Sequence, residues 1–343
     1  MITLEDNHLV FRFPEIEEDA SFSIDFQRTL RIPDTENTYP LPPGLGNFPL
    51  RHAEDFEANL PKNITEKGGI ILPMWQAEAM WLNFSSNVPG LPDFPVAIKV
   101  ASGKINAVTG DTWQSALQRE PQDYMVSPNQ PWLDGFAVEK GVIRQFVAMP
   151  LSEGYTAEEQ LTGEAKWGGI QISVTPLKRS VWKDLVEMES GIIREYSKMM
   201  ISYEREISPM GFAPGGKMKQ EIFTDTFNLE DWDQEATQRV FVSILKISDW
   251  KKIVQDDVDF TAPPSAEDYN AAGLPWFEYY GRDQQILPGS EKLSELESLA
   301  KIHNKKTGSI LPGSTDFTVQ KKFTLNKSPI SPLRQVKNTD SWI

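Results

Sequence analysis

Residues 96–108, VAIKVASGKINAV, and 136–149, FAVEKGVIRQFVAM, decide the fold class. In each, two apolar runs flank a short polar segment with one glycine, Gly103 in the first and Gly141 in the second. Glycine accepts the positive φ of tight hairpin turns, so both stretches read as antiparallel hairpins, the second turning over Glu139, Lys140 and Gly141. Residues 169–177, GIQISVTPL, add an alternating run of the same kind. Strands this dense, joined by turns with no room for helical crossovers, point to an antiparallel sheet, sandwich or barrel rather than a doubly wound sheet.

The pattern extends outward from this block. Residues 21–33, SFSIDFQRTLRIP, alternate apolar and polar side chains at the period of a half-buried strand. The Pro and Gly cluster of residues 38–50, TYPLPPGLGNFPL, cannot continue a ladder and reads as a surface loop. Residues 71–84, ILPMWQAEAMWLNF, fit either a buried strand pair or a short helix by periodicity alone, and the strand pair is the favoured reading.

From Ser180 to Glu204 the spacing of Trp182, Leu185, Val186, Ile192, Ile193, Tyr196, Met199 and Met200 becomes helical, with Ser180 as N-cap. MKQEIF (218–223) and RVFVSILKI (239–247) follow as strands around an acidic loop, Asp225 to Glu235. Ser265 and Ser290 precede acidic residues as helix N-caps do. Lys321 to Lys337 carries basic and no acidic residues and reads as an extended tail. The expected architecture is a β-rich α+β protein with a body at 1–178, a helical connector at 179–210, a smaller α+β unit at 211–317 and a basic tail at 318–343.

Composition bounds the function. The 343 residues carry a formal charge of −15, which repels phosphate backbones and anionic headgroups, so neither nucleic acid nor a membrane surface is an expected partner. No stretch approaches the roughly 20 apolar residues of a spanning helix. The absence of cysteine removes disulfides, thiolate nucleophiles and the common structural zinc sites, and suits a cytoplasmic setting. The acidic start, with Glu5, Asp6, Glu15 and Glu17 to Asp19, does not read as a secretory signal.

The blocks AIKVASGKINAVTGD, QDYMVSPNQPWLDG, VEKGVIRQFVAMPL, APGGKMKQEI and AGLPWFEYY resemble those of an uncharacterised family of soluble proteins in bacteria and filamentous fungi. The resemblance runs from about Arg28 to about Leu299 and implies a shared fold; it brings no activity and no site residues. Lys178 to Met210 departs from it, since a Pro-rich linker is more usual there.

Catalytic signatures are incomplete. Gly211 to Lys217 has the glycine and lysine spacing of a phosphate loop, but Met218 stands where Ser or Thr must hold magnesium, and the stretch reads as a glycine-rich interdomain turn. Ser180 and Lys183 match the first element of penicillin-recognising enzymes and Lys306-Thr307-Gly308 the third, yet Ser127-Pro-Asn129 precedes the serine instead of following it. Asp231, Asp233 and Glu235 begin like a calcium loop that then has Ala236 for its glycine and Val242 for its glutamate. His8, His52 and His303 have no metalloprotease spacing. No metal or cofactor is expected.

What remains is an aromatic and acidic constellation. Trp113, Trp132 and Trp167, with Arg144, are the candidate ligand-binding residues, while Asp134 and Glu139 are the candidate acid and base. Two carboxylates suitably apart can hydrolyse a glycosidic bond. Pro131 to Gly135 reads as the loop most suited to carry a site, and Pro275 to Tyr280 is a second aromatic cluster. The leading expectation is a non-enzymatic binding or self-assembling protein with a small-molecule or glycan ligand; the rival is a carboxylate-dependent hydrolase acting on a glycan. The weight of aromatics in a β-rich chain also fits plain core filling.

Overall fold

The computed structural model describes residues 1–87, 91, 93–189, 209–255, 261–279 and 284–325. Strands β1 (Ile2–Glu5) and β2 (His8–Arg12) form an opening hairpin whose turn residues, Asp6 and Asn7, take positive φ. β3 (Ser21–Thr29) pairs with β2 and is followed by three short strands, β4 (Thr38–Tyr39), β5 (Gly44–Asn47) and β6 (Arg51–His52). Then come β7 (Ile70–Met74), β8 (Ala79–Asn87), β9 (Val96–Ser102) and β10 (Ile105–Asn106). The central run is β11 (Met125–Ser127), β12 (Trp132–Leu133), β13 (Gly135–Glu139), β14 (Val142–Pro150) and β15 (Ile170–Pro176). β16 (Pro209–Lys219) and β17 (Gln238–Lys246) complete the main sheet, and β18 (Trp276–Tyr279) pairs in parallel with β19 (Lys322–Leu325).

Pairing makes two arms. One runs β1, β2, β3, β8, β14, β16; the other runs β11, β9, β15, β17, β7. They join where Pro209 and Met210 pair with Leu245 and Ile244. Because side chains alternate along a strand, each arm sends every second residue inward. Phe22, Ile24 and Phe26 of β3 meet Ile98 and Val100 of β9, Ile172 and Val174 of β15, and Val242 and Ile244 of β17 in one buried cluster. The result is an open, mainly antiparallel sheet folded into two facing layers, a β-rich α+β fold as expected.

Both hairpins of the deciding block are present. Ser102 pairs with Ile105 across Gly103, and β13 pairs with β14 across Lys140 and Gly141, with positive φ at both glycines. Ser265 and Ser290 cap helices Ala266–Ala271 and Glu291–Ser294 through their side-chain oxygens. Among the described residues no helix is long and apolar enough to cross a membrane.

Four local readings are corrected. The proline-rich stretch 38–50 is not a plain surface loop: β4 pairs with β16, β5 pairs with β3, and Leu41 bridges Phe277, so short rungs form between the prolines and much of the stretch is buried. GFAPGGKM is no turn; it lies inside β16, where a side chain on Gly215 would strike Val147 and one on Gly216 would strike the Pro33 carbonyl. Missing side chains there allow close packing, a requirement invisible to turn propensity. The helix begins at Arg179, so Ser180 lies within it and is not its N-cap; Trp182 N bonds back to the Lys178 carbonyl. The helix is described to Glu189, and its expected continuation to Glu204 lies outside the described residues. Finally, the tail contributes β19 before the described residues end at 325.

The outer faces of the layers are covered unequally. Helix Leu299–Thr307 packs Leu299 and Ile302 against Val147, Met149 and Ala213. β18 sends Trp276 into a second cluster with Leu30, Ile32, Tyr39, Ile143 and Met218. These additions roof β14 and β16 and also reach Ala79 of β8 and Trp132 of β12.

Candidate functional site

With Phe22, Ile24 and Phe26 committed to the core, the alternation of β3 turns Ser23, Asp25 and Gln27 outward. Register then places Asn83 opposite Asp25 and Trp81 opposite Gln27, and sets Trp132 of β12 beside Asn83. Asn83 Nδ2 donates to Asp25 Oδ2 at 2.8 Å, and Gln27 Nε2 donates both to Asp25 Oδ1 and to Asn47 Oδ1. His8 Nε2 stands 3.7 Å from Asp25 Oδ2. The half-buried rings of Trp81 and Trp132 lie on the β8 and β12 side of this cluster, beside Gln27 and Asn83 respectively. Gly44 packs close to this cluster: a Cβ there would lie 3.2 Å from Gln27 Oε1 and 3.4 Å from Trp81 Cζ2.

Trp132 is held rigidly. Its carbonyl accepts from Gln130 Nε2 at 3.0 Å and Gln220 Nε2 at 3.1 Å, and its ring meets the Tyr279 ring edge-on at 4.8 Å. Its indole Nε1 donates to Asp134 Oδ2 at 2.5 Å. Asp134 is buried, and burial pushes its carboxyl up to about 7 against the opposing effect of the Trp132 hydrogen bond. The Asp134 amide donates to Gln220 Oε1 at 2.9 Å. Pro131 to Gly135 is therefore a short strand and a buried crossing from β12 to β13, rather than the free loop the sequence suggested.

Of the six residues singled out from sequence, the structure brings together Trp132 and Asp134. Glu139 is exposed at the far end of β13, where Lys217 Nζ donates to it at 2.7 Å. Arg144 is buried and donates to Asp34 Oδ1 at 3.3 Å and the Gly215 carbonyl at 3.0 Å. Trp113 belongs to the other layer, over Lys99 and Arg239. Trp167 lies against Lys104, whose Nζ is 4.1 Å from its ring, and Lys67.

Sequence reasoning passed over Asp25, Gln27, Asn47, Trp81 and Asn83. The outward set of β3 was legible in its alternation, and Trp81 and Asn83 share a strand face; nothing in the sequence brings Asn47 to Gln27. An open groove of about 380 Å³ lies elsewhere, lined by Asp34, Ala300, Lys301, Asn304, Leu311 and Ser314 among others. Asp34 is already occupied there, accepting from the Ala300 amide at 2.7 Å. The carboxylates that begin like a calcium loop serve local turns: Asp231 accepts from the Asn228 amide and Asp233 from the Ala236 amide. Among the described residues no three His, Asp or Glu side chains gather to hold a metal ion.

No protein-family model, curated protein or solved structure matches this chain.

Proposed function

We propose that this is a non-enzymatic binding protein that takes a polyhydroxylated ligand, such as a glycan segment, on the outer face of β3, β8 and β12. The observation that supports the reading is the polar cluster of Gln27, Asn47 and Asn83 around the buried Asp25, with Trp81 and Trp132 at its β8 and β12 side. A sugar ring offers an apolar face to an aromatic surface and hydroxyl edges to groups that both donate and accept; amides supply both roles and a carboxylate accepts twice. A polar row already tied into hydrogen bonds is preorganised, which lowers the cost of binding. The cysteine-free chain fits a cytoplasmic setting, and β1, paired on its β2 side, offers an edge for self-association.

The hydrolase reading rests on Asp134, since a carboxyl titrating near 7 has the property a general acid needs. Its weakness is the second group: Glu139 is engaged by Lys217.

Binding is tested by affinity electrophoresis and calorimetry against a panel of neutral soluble polysaccharides and oligosaccharides. The expected result is saturable binding that Trp81→Ala and Asn83→Ala each weaken about tenfold, from the loss of a stacking ring or of a hydrogen bond. A folded wild-type protein that binds none of the panel would sink the proposal. Hydrolysis of any of them, abolished by Asp134→Asn, would replace it with the enzyme.

A further inference from the structure

The outer face of the second layer carries a different constellation. Register aligns Lys99 of β9, Ser173 of β15 and Arg239 of β17 in one row, since Ser173 pairs with both neighbours. Lys99 is fully engaged: its Nζ donates to Asp123 Oδ2 at 2.6 Å and to the carbonyls of Gln114 at 3.0 Å and Ala116 at 2.5 Å. Among the described residues no carboxylate pairs with Arg239, and its Nη2 donates to Gln171 Oε1.

Two rings hold that guanidinium in place, with Trp113 at 5.1 Å and Phe241 at 4.7 Å. The same Trp113 ring lies 5.7 Å from Lys99 Nζ on the far side of the row, so it spans the middle strand and sits over Ser173. Ser173 is 2% exposed, and its Oγ has no hydrogen-bond partner in the protein. The buried Nε1 of Trp113 has none either. Buried polar groups are ordinarily satisfied. An indole N–H, a hydroxyl and the free edge of a guanidinium all lack the same thing, which is an acceptor.

We propose that Arg239, Ser173 and Trp113 form a binding site for a small oxyanion, the carboxylate or phosphate group of a ligand, on the outer face of β15 and β17. A guanidinium presents paired N–H groups that match two oxygens of such a group, and the flanking rings fix its plane in advance. The hydroxyl and the indole N–H supply further donors. In a chain of charge −15 the surface at large repels anions, so an arginine with no carboxylate partner among the described residues, held under an aromatic cover, is a selective point of entry. This site lies on the layer opposite the proposed glycan face and stands independently of it.

The test follows the tryptophan indole N–H signals of the full chain during titration with inorganic phosphate and, separately, acetate at constant ionic strength. Trp113→Phe identifies the signal. The expected result is a saturable downfield shift of the Trp113 N–H, with the affinity reduced about tenfold in Ser173→Ala and further in Arg239→Gln. A response to phosphate alone assigns a phosphate group, and a response to acetate alone assigns a carboxylate. Should Arg239→Gln fold poorly, Arg239→Lys keeps the charge but loses the fork and is expected to bind several-fold more weakly. Absence of a saturable shift with either anion, or affinities unchanged in both Ser173→Ala and Arg239→Lys, overturns the site.

Discussion

At the residue scale, buried carboxyl groups in this protein differ in what answers their charge. Asp225 accepts from Tyr124 Oη at 2.7 Å, Trp232 Nε1 at 2.9 Å and Arg119 at 3.1 Å. Glu78 has Arg28 Nε at 2.7 Å and the Trp75 amide at 2.8 Å, yet burial still pushes it up to about 7. Asp134 has the Trp132 indole and no cation among the described residues, and it too stands at about 7. A carboxyl that holds its proton in the folded state but not in the unfolded one makes stability fall as pH rises from the ordinary Asp value, near 4, to about 7. Each pH unit in that window costs about 1.4 kcal/mol, so the full penalty at Asp134 is of order 4 kcal/mol, constant above pH 7.

Asp134→Asn keeps an acceptor for Trp132 and removes the titration. Its stability relative to wild type is therefore expected to grow from pH 4.5 to pH 7.5, measured by urea unfolding across that range. If the difference between the two proteins is independent of pH, Asp134 is not protonated in the fold. Glu78 titrates in the same direction in both proteins, so the difference isolates Asp134.

At the element scale, the turn from β12 into β13 depends on a close approach. A Cβ on Gly135 would overlap the Arg144 carbonyl of β14, a backbone atom that cannot swing aside. Gly135→Ala is expected to destabilise the protein by about 2–4 kcal/mol and to disturb the neighbouring Trp132–Asp134 hydrogen bond. Urea unfolding measures the first effect and the Trp132 indole signal the second; a loss below about 0.5 kcal/mol would show that the strands simply part. The same packing logic explains GFAPGGKM. Glycine and proline were legible as breakers, whereas their use inside β16 depends on how near Val147 and Pro33 come, and local propensity carries no record of distance.

At the scale of the whole molecule, the main core draws on residues before, within and after the expected connector. It gathers Leu9 and Phe22 near the start, Trp182 from the helix Arg179–Glu189, Val242 from β17 and Leu296 beyond. Trp182 is fully buried, edge-on to Phe94 at 5.0 Å. Thermal unfolding is expected to be a single cooperative transition, coincident by calorimetry and tryptophan fluorescence, and Trp182→Ala is expected to cost about 3–5 kcal/mol across all of it. Two separable transitions, or a loss confined to one of two, would mean that the segments before and after the helix fold independently.

Sequence alone determined several strands and their turns, because a period of two and a glycine at positive φ are local properties: β3, β9, β15, β17 and both hairpins follow from it, whereas β7 and β8 are equally compatible with a short helix by periodicity. It also singled out Trp132 and Asp134 together, two residues apart in a stretch read as a loop. Tertiary structure decided the rest. Glu139 was drawn to Lys217 and Arg144 to Asp34, which separated the candidate acid from its base. Asp25, Asn47, Asn83 and Trp81 were assembled by strand register, and Lys99, Ser173 and Arg239 were aligned the same way on the other layer. Register couples residues tens of positions apart through the backbone ladder and the core beneath it, so which side chains share a face is settled only when the layers pack.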